Sequence, residues 1–198
     1  MILTFETLNE KHEHAMRMFL HESGLGHVAA EWKRSLENAR ELSVSVPHAV
    51  YDAFLDELAA GKGISKFKRA GIRSLLLNEG ETIYGAVETA DPLPEKGVSK
   101  GSVQLEYGPF VGATHEALKH LETETAHAGE TYRFRLLRIP GIYVMAAWLH
   151  GEKQNLFMPI GQAPKSLKPY TLYSEKDFLA LLKTLAREKL DFEKKNPE

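Results

Sequence analysis

Two histidine patterns on one segment point towards metal or acid-base chemistry. His115, Glu116 and His120 stand in the run HEALKH. Its histidines are five apart and diverge by about 140° on a regular helix, whereas a zinc-binding HExxH helix sets them four apart on one face. His120, Glu124 and His127 are better placed. Their i, i+4, i+7 spacing forms a stripe beside the apolar residues Ala117, Leu118 and Leu121. Two imidazoles and a carboxylate in a row suit zinc or proton transfer, although three ligands on one straight helix converge poorly on a single ion. The simpler reading is a hydrated helix flank. His14 and His21 are two turns apart and His12 points towards an apolar arc, so packing or solvation accounts for them.

A second set could hold an anion. Arg133 and Arg135 alternate with Tyr132, Phe134 and Leu136, just before Pro140-Gly141. A two-residue turn there places Arg133 opposite Trp148 and Leu136 opposite Met145. Arg133, Arg135 and Trp148 then form an anion or ligand site with the indole as a stacking surface; cross-strand packing on an exposed sheet face is the alternative. Pro-Gly favours type II geometry, which splays hairpin strands, so a longer loop is also open. A third set is basic: Lys62, Lys66, Lys68, Arg69 and Arg73 have no acid interspersed. It could supply a salt-dependent phosphate contact, or be a wet surface. The chain has no glycine-rich phosphate loop, nucleophile elbow or dinucleotide fingerprint.

Elements that position these residues follow from hydrophobic period. Asn9 caps a helix through Glu22, with Ala15, Met16, Phe19 and Leu20 on one arc. A second helix covers 29–40, with Trp32 and Leu36 on its buried side. Leu42 to Val46 alternates as a half-buried strand. Pro47 then opens a helix with Val50, Tyr51, Phe54, Leu55 and Leu58 as its stripe. Ser65 caps another, with Phe67, Gly71, Ile72, Leu75 and Leu76 on one side. Strands follow at 82–88 and 102–107, separated by ADPLPEKGVSKG, a loop or linker. A helix over 114–128, strands over 130–139, 141–149 and 155–160, and a last helix capped by Ser174 with Asp177 complete the chain. Its tail after Leu190 is charged and expected to fray.

With 198 residues, 43% of them hydrophobic, the chain can bury a substantial core. The 25 basic and 27 acidic residues leave a net charge of -2, so no global field favours nucleic acid or anionic membrane. The absence of cysteine excludes disulfides, thiolate metal sites and cysteine nucleophiles. The opening MILTFETLNEKHEHAM lacks the basic, apolar and small-residue blocks of a secretory signal, and no apolar run reaches membrane-spanning length. A cytoplasmic location without membrane contact is expected.

The stretch LSVSVPHAVYDAFLDELAAGKGISKFKRAGIRSLL, residues 42–76, resembles a ribbon-helix-helix unit: alternating strand, proline, amphipathic helix, glycine turn and a second helix. The resemblance implies a homodimer that inserts a two-stranded ribbon into the DNA major groove. By position, Leu42, Val44 and Val46 would face the core and Glu41, Ser43 and Ser45 the bases. Ser65 would meet a phosphate, and Lys62, Lys66, Arg69 and Arg73 would add backbone contacts. Glu41 and Lys68 depart from the family's pattern, and the unit covers under a fifth of the chain.

These readings combine into an α+β protein. A mostly helical N-terminal half, residues 1–90 with the strand-helix-helix unit at 42–76, precedes a linker at 91–101. The remainder, 102–198, is a C-terminal antiparallel sheet of three or more strands packed with two helices. The expected function is a non-enzymatic regulatory or binding protein without a cofactor, with DNA through the 42–76 unit and a sensing or partner-binding C-terminal part. The alternatives are a small metal-dependent hydrolase using His120, Glu124 and His127, and an interaction module presenting the C-terminal sheet to a protein partner.

Overall fold

The structure, a computed structural model, describes residues 1–22, 43–77, 83–93 and 102–196. The described residues form nine strands and four α-helices. They are β1 Ile2–Thr4, α1 Glu10–Glu22, β2 Ser43–Asp52, α2 Leu55–Ala59, β3 Lys68–Leu77, β4 Ile83–Ala90, β5 Val103–Glu106, α3 Pro109–Glu122, β6 Thr131–Ile139, β7 Val144–His150, β8 Asn155–Ile160, β9 Tyr173–Ser174 and α4 Glu175–Lys195. All nine strands belong to one mixed sheet in the order β5-β4-β3-β2-β6-β7-β8-β9, with β1 beside β6. The predicted helix over 29–40 lies outside the described residues.

The N-terminal half is therefore mostly strand, which corrects the expected helical region. The difference arises at two segments. Val50, Tyr51, Phe54, Leu55 and Leu58 read as a helical stripe, but β2 runs on through Pro47 to Asp52 and only Leu55–Ala59 is helical. Proline is tolerated because it sits in a register break between Ser45 and His48, beside Val46 at φ +52°, as expected for proline at a bulge. The helix expected from Ser65 is instead a short 3-10 turn, Ile64–Lys66, followed by β3. Ile72, Leu75 and Leu76 fit helical spacing, yet β3 is sandwiched between β2 and β4 and buries side chains on both faces. A run buried on both faces loses its period-two signature, and periodicity alone cannot separate it from a helix. The second helix that a ribbon-helix-helix unit requires is thus occupied by a strand, and β2 pairs within its own chain, antiparallel to β3 and parallel to β6.

Gly71 shows how tightly β3 is held. A Cβ added there would lie 2.4 Å from the carbonyl oxygen of Thr89 on β4. Gly71→Ala is expected to cost about 1–3 kcal/mol, the usual penalty of overpacking, read as a lowered denaturant midpoint.

The remaining elements follow sequence patterning more closely. Asn9 caps α1, its Oδ1 accepting from the His12 amide at 3.0 Å, and Ala15 and Met16 are buried against Leu76, Val87 and Val103. Strand β8 has the predicted bounds, and Ser174 caps α4 by accepting from the Asp177 amide at 3.2 Å. α4 continues to Lys195 rather than fraying after Leu190. β6 to β9 form the expected antiparallel run, but as a continuation of the larger sheet. β5, after the segment 91–101, pairs with β4 before it.

Directly paired residues project from the same face, so the register assigns the two sides. Ile72, Ala49 and Arg135 pair across β3, β2 and β6 and share a face with Leu76 and Leu137. On this face α1 covers β4 and β5, while α4 and α2 pack on Leu137, Ala146 and Phe157 through Phe178, Leu182, Ala186 and Leu58. The opposite face carries α3, whose Val111, Ala117 and Leu121 pack with Leu75, Ala86, Leu136 and Met158. Between α1 and α4 the central strands β2 and β6 retain a strip of polar and aromatic side chains. No helix among the described residues is long and apolar enough to cross a membrane.

Candidate anion-binding cleft

Arg133 and Arg135 project from β6 into that strip. The β6-β7 connection is a 3-10 turn at Pro140–Ile142 followed by Tyr143 at φ +52°, longer than the two-residue turn. The register moves accordingly by two residues: Arg133 pairs with His150, Arg135 with Trp148 and Leu136 with Ala147. A shift of two preserves the face, so both arginines and the indole remain on one side.

Arg135 is the centre of the site. Its guanidinium lies 4.7 Å from the Trp148 ring centroid and 5.3 Å from that of Tyr51 on β2. Its Nε is buried without a hydrogen-bond partner, and no carboxylate among the described residues forms an ion pair with it. Burial holds the Arg135 pKa below the ordinary arginine value, with the charges of Arg133 and Arg69 acting the same way against Tyr51 and Glu6. Trp148 is 3% exposed, stacked at 16° on Phe157 and edge-on to Phe67, so it supports the guanidinium instead of offering its own face to a ligand.

A cleft of about 660 Å³ opens along these residues, lined by Thr4, Arg133, Arg135, His150, Lys153 and Glu130 among others. Glu130 is already engaged: the Tyr132 hydroxyl donates to it, as does Gln154 at 3.2 Å. These two hydrogen bonds, both to Oε2, with the His127 charge adding, hold its carboxyl below the usual range, so it stays ionised. Beside His150, Asn155 Oδ1 accepts from Trp148 Nε1 at 3.0 Å and lies 2.8 Å from His150 Nδ1, while its Nδ2 donates to Glu175 at 2.7 Å.

The other predicted sites do not assemble. α3 ends at Glu122, so Glu124 and His127 leave the stripe: His120 stacks on Tyr170, Glu124 accepts from the Ala126 amide, and His127 lies 3.8 Å from Glu130. No group of three or more histidine, aspartate or glutamate side chains able to hold a metal occurs among the described residues. The seven DNA-contacting candidates are likewise dispersed. Ser43, Ser65 and Lys66 are exposed, Ser45 pairs with Leu75, and Lys62 lies 4.0 Å from Glu57. Arg69 is bound by Asp91 and Glu6 on the face of α1 and α4, whereas Arg73 is 1% exposed on the other face. The apolar C-terminal sheet is covered by α3 on one side and α4 on the other.

Arg73 belongs to a second polar cluster. It pairs with Glu88 at 2.9 Å and with Glu106, and Arg138 pairs with Asp52 at 2.8 Å and Glu88 at 2.9 Å. Burial alone would lower the Arg138 pKa, but the hydrogen bond to Asp52 and the charges of Glu88, Asp52 and Glu106 raise it. Next to Arg73, His48 is fully buried, with Nδ1 2.7 Å from the Val46 carbonyl and Nε2 unpartnered. Burial, aided by Arg73 and opposed by the Val46 hydrogen bond, pushes its pKa from 6.5 down to about 3. Below pH 6.5 the unfolded chain therefore binds a proton that the folded chain refuses, so this histidine removes stability as pH falls, until about pH 3. Denaturant midpoints should show the advantage of wild type over His48→Gln shrinking by about 2 kcal/mol between about pH 7 and about pH 5.

Tyr51, His150 and Asn155 were not singled out from sequence. His150 lies two residues beyond Trp148 and so on its face, a signal that period-two reading supplies. Tyr51 had none, since its approach to Arg135 depends on the parallel β2-β6 pairing. No protein-family model matches the chain, and no curated protein or solved structure does either. Fold and site alone define the class: an α+β protein with a nine-stranded mixed sheet and a cationic cleft at the start of β6 and the end of β7.

Proposed function

We propose that the protein is a non-enzymatic binding protein whose ligand carries an anionic group, held in the cleft by Arg135 and Arg133. The observation that carries this reading is the half-buried guanidinium of Arg135, whose Nε has no hydrogen-bond partner, placed between Tyr51 and Trp148 and bordering a cleft. A partly desolvated cation without a carboxylate costs stability. An arriving anion would form charge-assisted hydrogen bonds to groups already oriented, which supports a ligand contact over a structural one. Glu130 and Glu152 also line the cleft, but Glu130 is held by Tyr132 and Gln154 and neither forms an ion pair with Arg133 or Arg135 among the described residues, so the three cations Arg133, Arg135 and Lys153 outnumber the carboxylates.

The test is calorimetric titration with small carboxylate, sulfate and phosphate ions and with neutral isosteres. Saturable binding of anions alone, weakened by added chloride, is the expected outcome. Equal heats from anions and neutral isosteres would remove the reading.

A further inference from the structure

His150 extends the cleft reading to the ligand's chemistry. Trp148 Nε1 can only donate and the Glu175 carboxylate can only accept. Asn155 bonds to both, so its amide cannot be flipped: Oδ1 faces Trp148 and His150, and Nδ2 faces Glu175. His150 Nδ1, 2.8 Å from that oxygen, must therefore carry a proton. The other ring nitrogen, Nε2, has no hydrogen-bond partner among the described residues, and the ring lines the cleft.

The register completes the arrangement. Arg133 and His150 are directly paired across β6 and β7, and Arg135 is two residues along on the same face. Such neighbours stand about 5 Å and about 7 Å apart at Cβ, so three donor side chains from two strands share one face and line one cleft. A carboxylate has two oxygens, and a single bidentate arginine engages both. Three separate donors instead match the three terminal oxygens of a phosphoryl group. Resting on the anion-binding reading above, we infer that the cleft takes a phosphate monoester, with Arg133, Arg135 and protonated His150 each meeting one terminal oxygen and His150 acting as the specificity-determining contact.

The charged and titratable groups around His150 are Arg133 and Arg135 on β6, Glu130 before it, Glu152 and Lys153 in the β7-β8 turn, and Glu175 at the start of α4. His127 stands beyond them, 3.8 Å from Glu130 and edge-on to Tyr132, so the His150→Gln variant is what separates the two histidines as sources of any pH dependence between about pH 5.5 and about pH 8.

Sulfate is the suitable probe, since it is tetrahedral and dianionic throughout that range, whereas phosphate itself titrates near pH 6. Calorimetry on the full chain would compare sulfate, methyl phosphate and acetate for wild type, His150→Gln and Arg135→Met, with circular dichroism confirming the fold of each. Sulfate affinity is expected to rise about tenfold from pH 8 to pH 5.5 in wild type, the size of one charge-assisted hydrogen bond. His150→Gln should bind sulfate equally at both pH values. Methyl phosphate should bind at least about tenfold more tightly than acetate. Anions that bind through Arg135 without pH dependence, or with acetate equal to methyl phosphate, overturn the phosphoryl assignment alone. If no anion binds wild type at either pH, the anion-binding reading falls with it.

Discussion

Arg73→Ala is expected to lower the free energy of unfolding by about 3–5 kcal/mol, the cost of leaving buried charge uncompensated. Arg73 is 1% exposed, and Glu88 and Glu106 converge on it from β4 and β5. Removing the guanidinium leaves Glu106, among the described ion pairs, with the 3.9 Å approach of Arg138, which already serves Asp52 and Glu88. Domains are stable by only about 5–15 kcal/mol, so the loss should be plain in a urea titration, as a shifted midpoint. Adding Glu106→Gln to the variant should recover part of it, because the second substitution removes the orphaned charge. A double-mutant cycle with additive costs would show that the pair is not coupled.

Arg135→Met should behave in the opposite way. The side chain lies between Tyr51 and Trp148, so the variant gives up cation-π contacts worth about 0.5–2 kcal/mol but relieves a desolvated guanidinium that costs a similar amount. Stability is expected to be unchanged or slightly raised. Anion affinity, by contrast, should fall by about 2–3 kcal/mol, roughly 30- to 150-fold in Kd, as a charge-assisted and geometrically fixed contact is lost. Arg135→Lys should fall between the two, retaining the charge without the planar fork. Lost binding with intact stability is the signature of a residue kept for its ligand. A destabilised Arg135→Met with unaltered anion affinity would make it a structural residue.

Much of the cleft was legible in the sequence. The alternation around Arg133 and Arg135 placed both on one face of a strand, and the apolar run after Pro140-Gly141 marked the partner strand with Trp148. The exact pairing was not, because it depends on whether the turn holds two residues or the 3-10 turn with Tyr143 in a left-handed conformation. Local caps were equally readable: Asn9 and Ser174 accept the amides that their positions suggested. Residues 47–76 failed for a physical reason. Val50, Ile72, Leu75 and Leu76 lie on strands buried on both sides, where tertiary burial overrides the pattern by which helix and strand are told apart. With β3 unrecognised and β2 recognised only as far as Val46, the parallel β2-β6 pairing that brings Tyr51 to Arg135 had no local trace. The stripe of His120, Glu124 and His127 failed more simply, since α3 stops at Glu122.

The binding role of Arg135 is open to direct observation through its Nε-H resonance in a protein labelled with ¹⁵N-arginine, assigned by its disappearance in Arg135→Lys. In the free protein this group has no hydrogen-bond partner. Titration with sulfate should shift it progressively to saturation, with the same Kd that calorimetry reports. A resonance that stays in place while calorimetry records saturable sulfate binding would locate the anion elsewhere and contradict the assignment of the cleft.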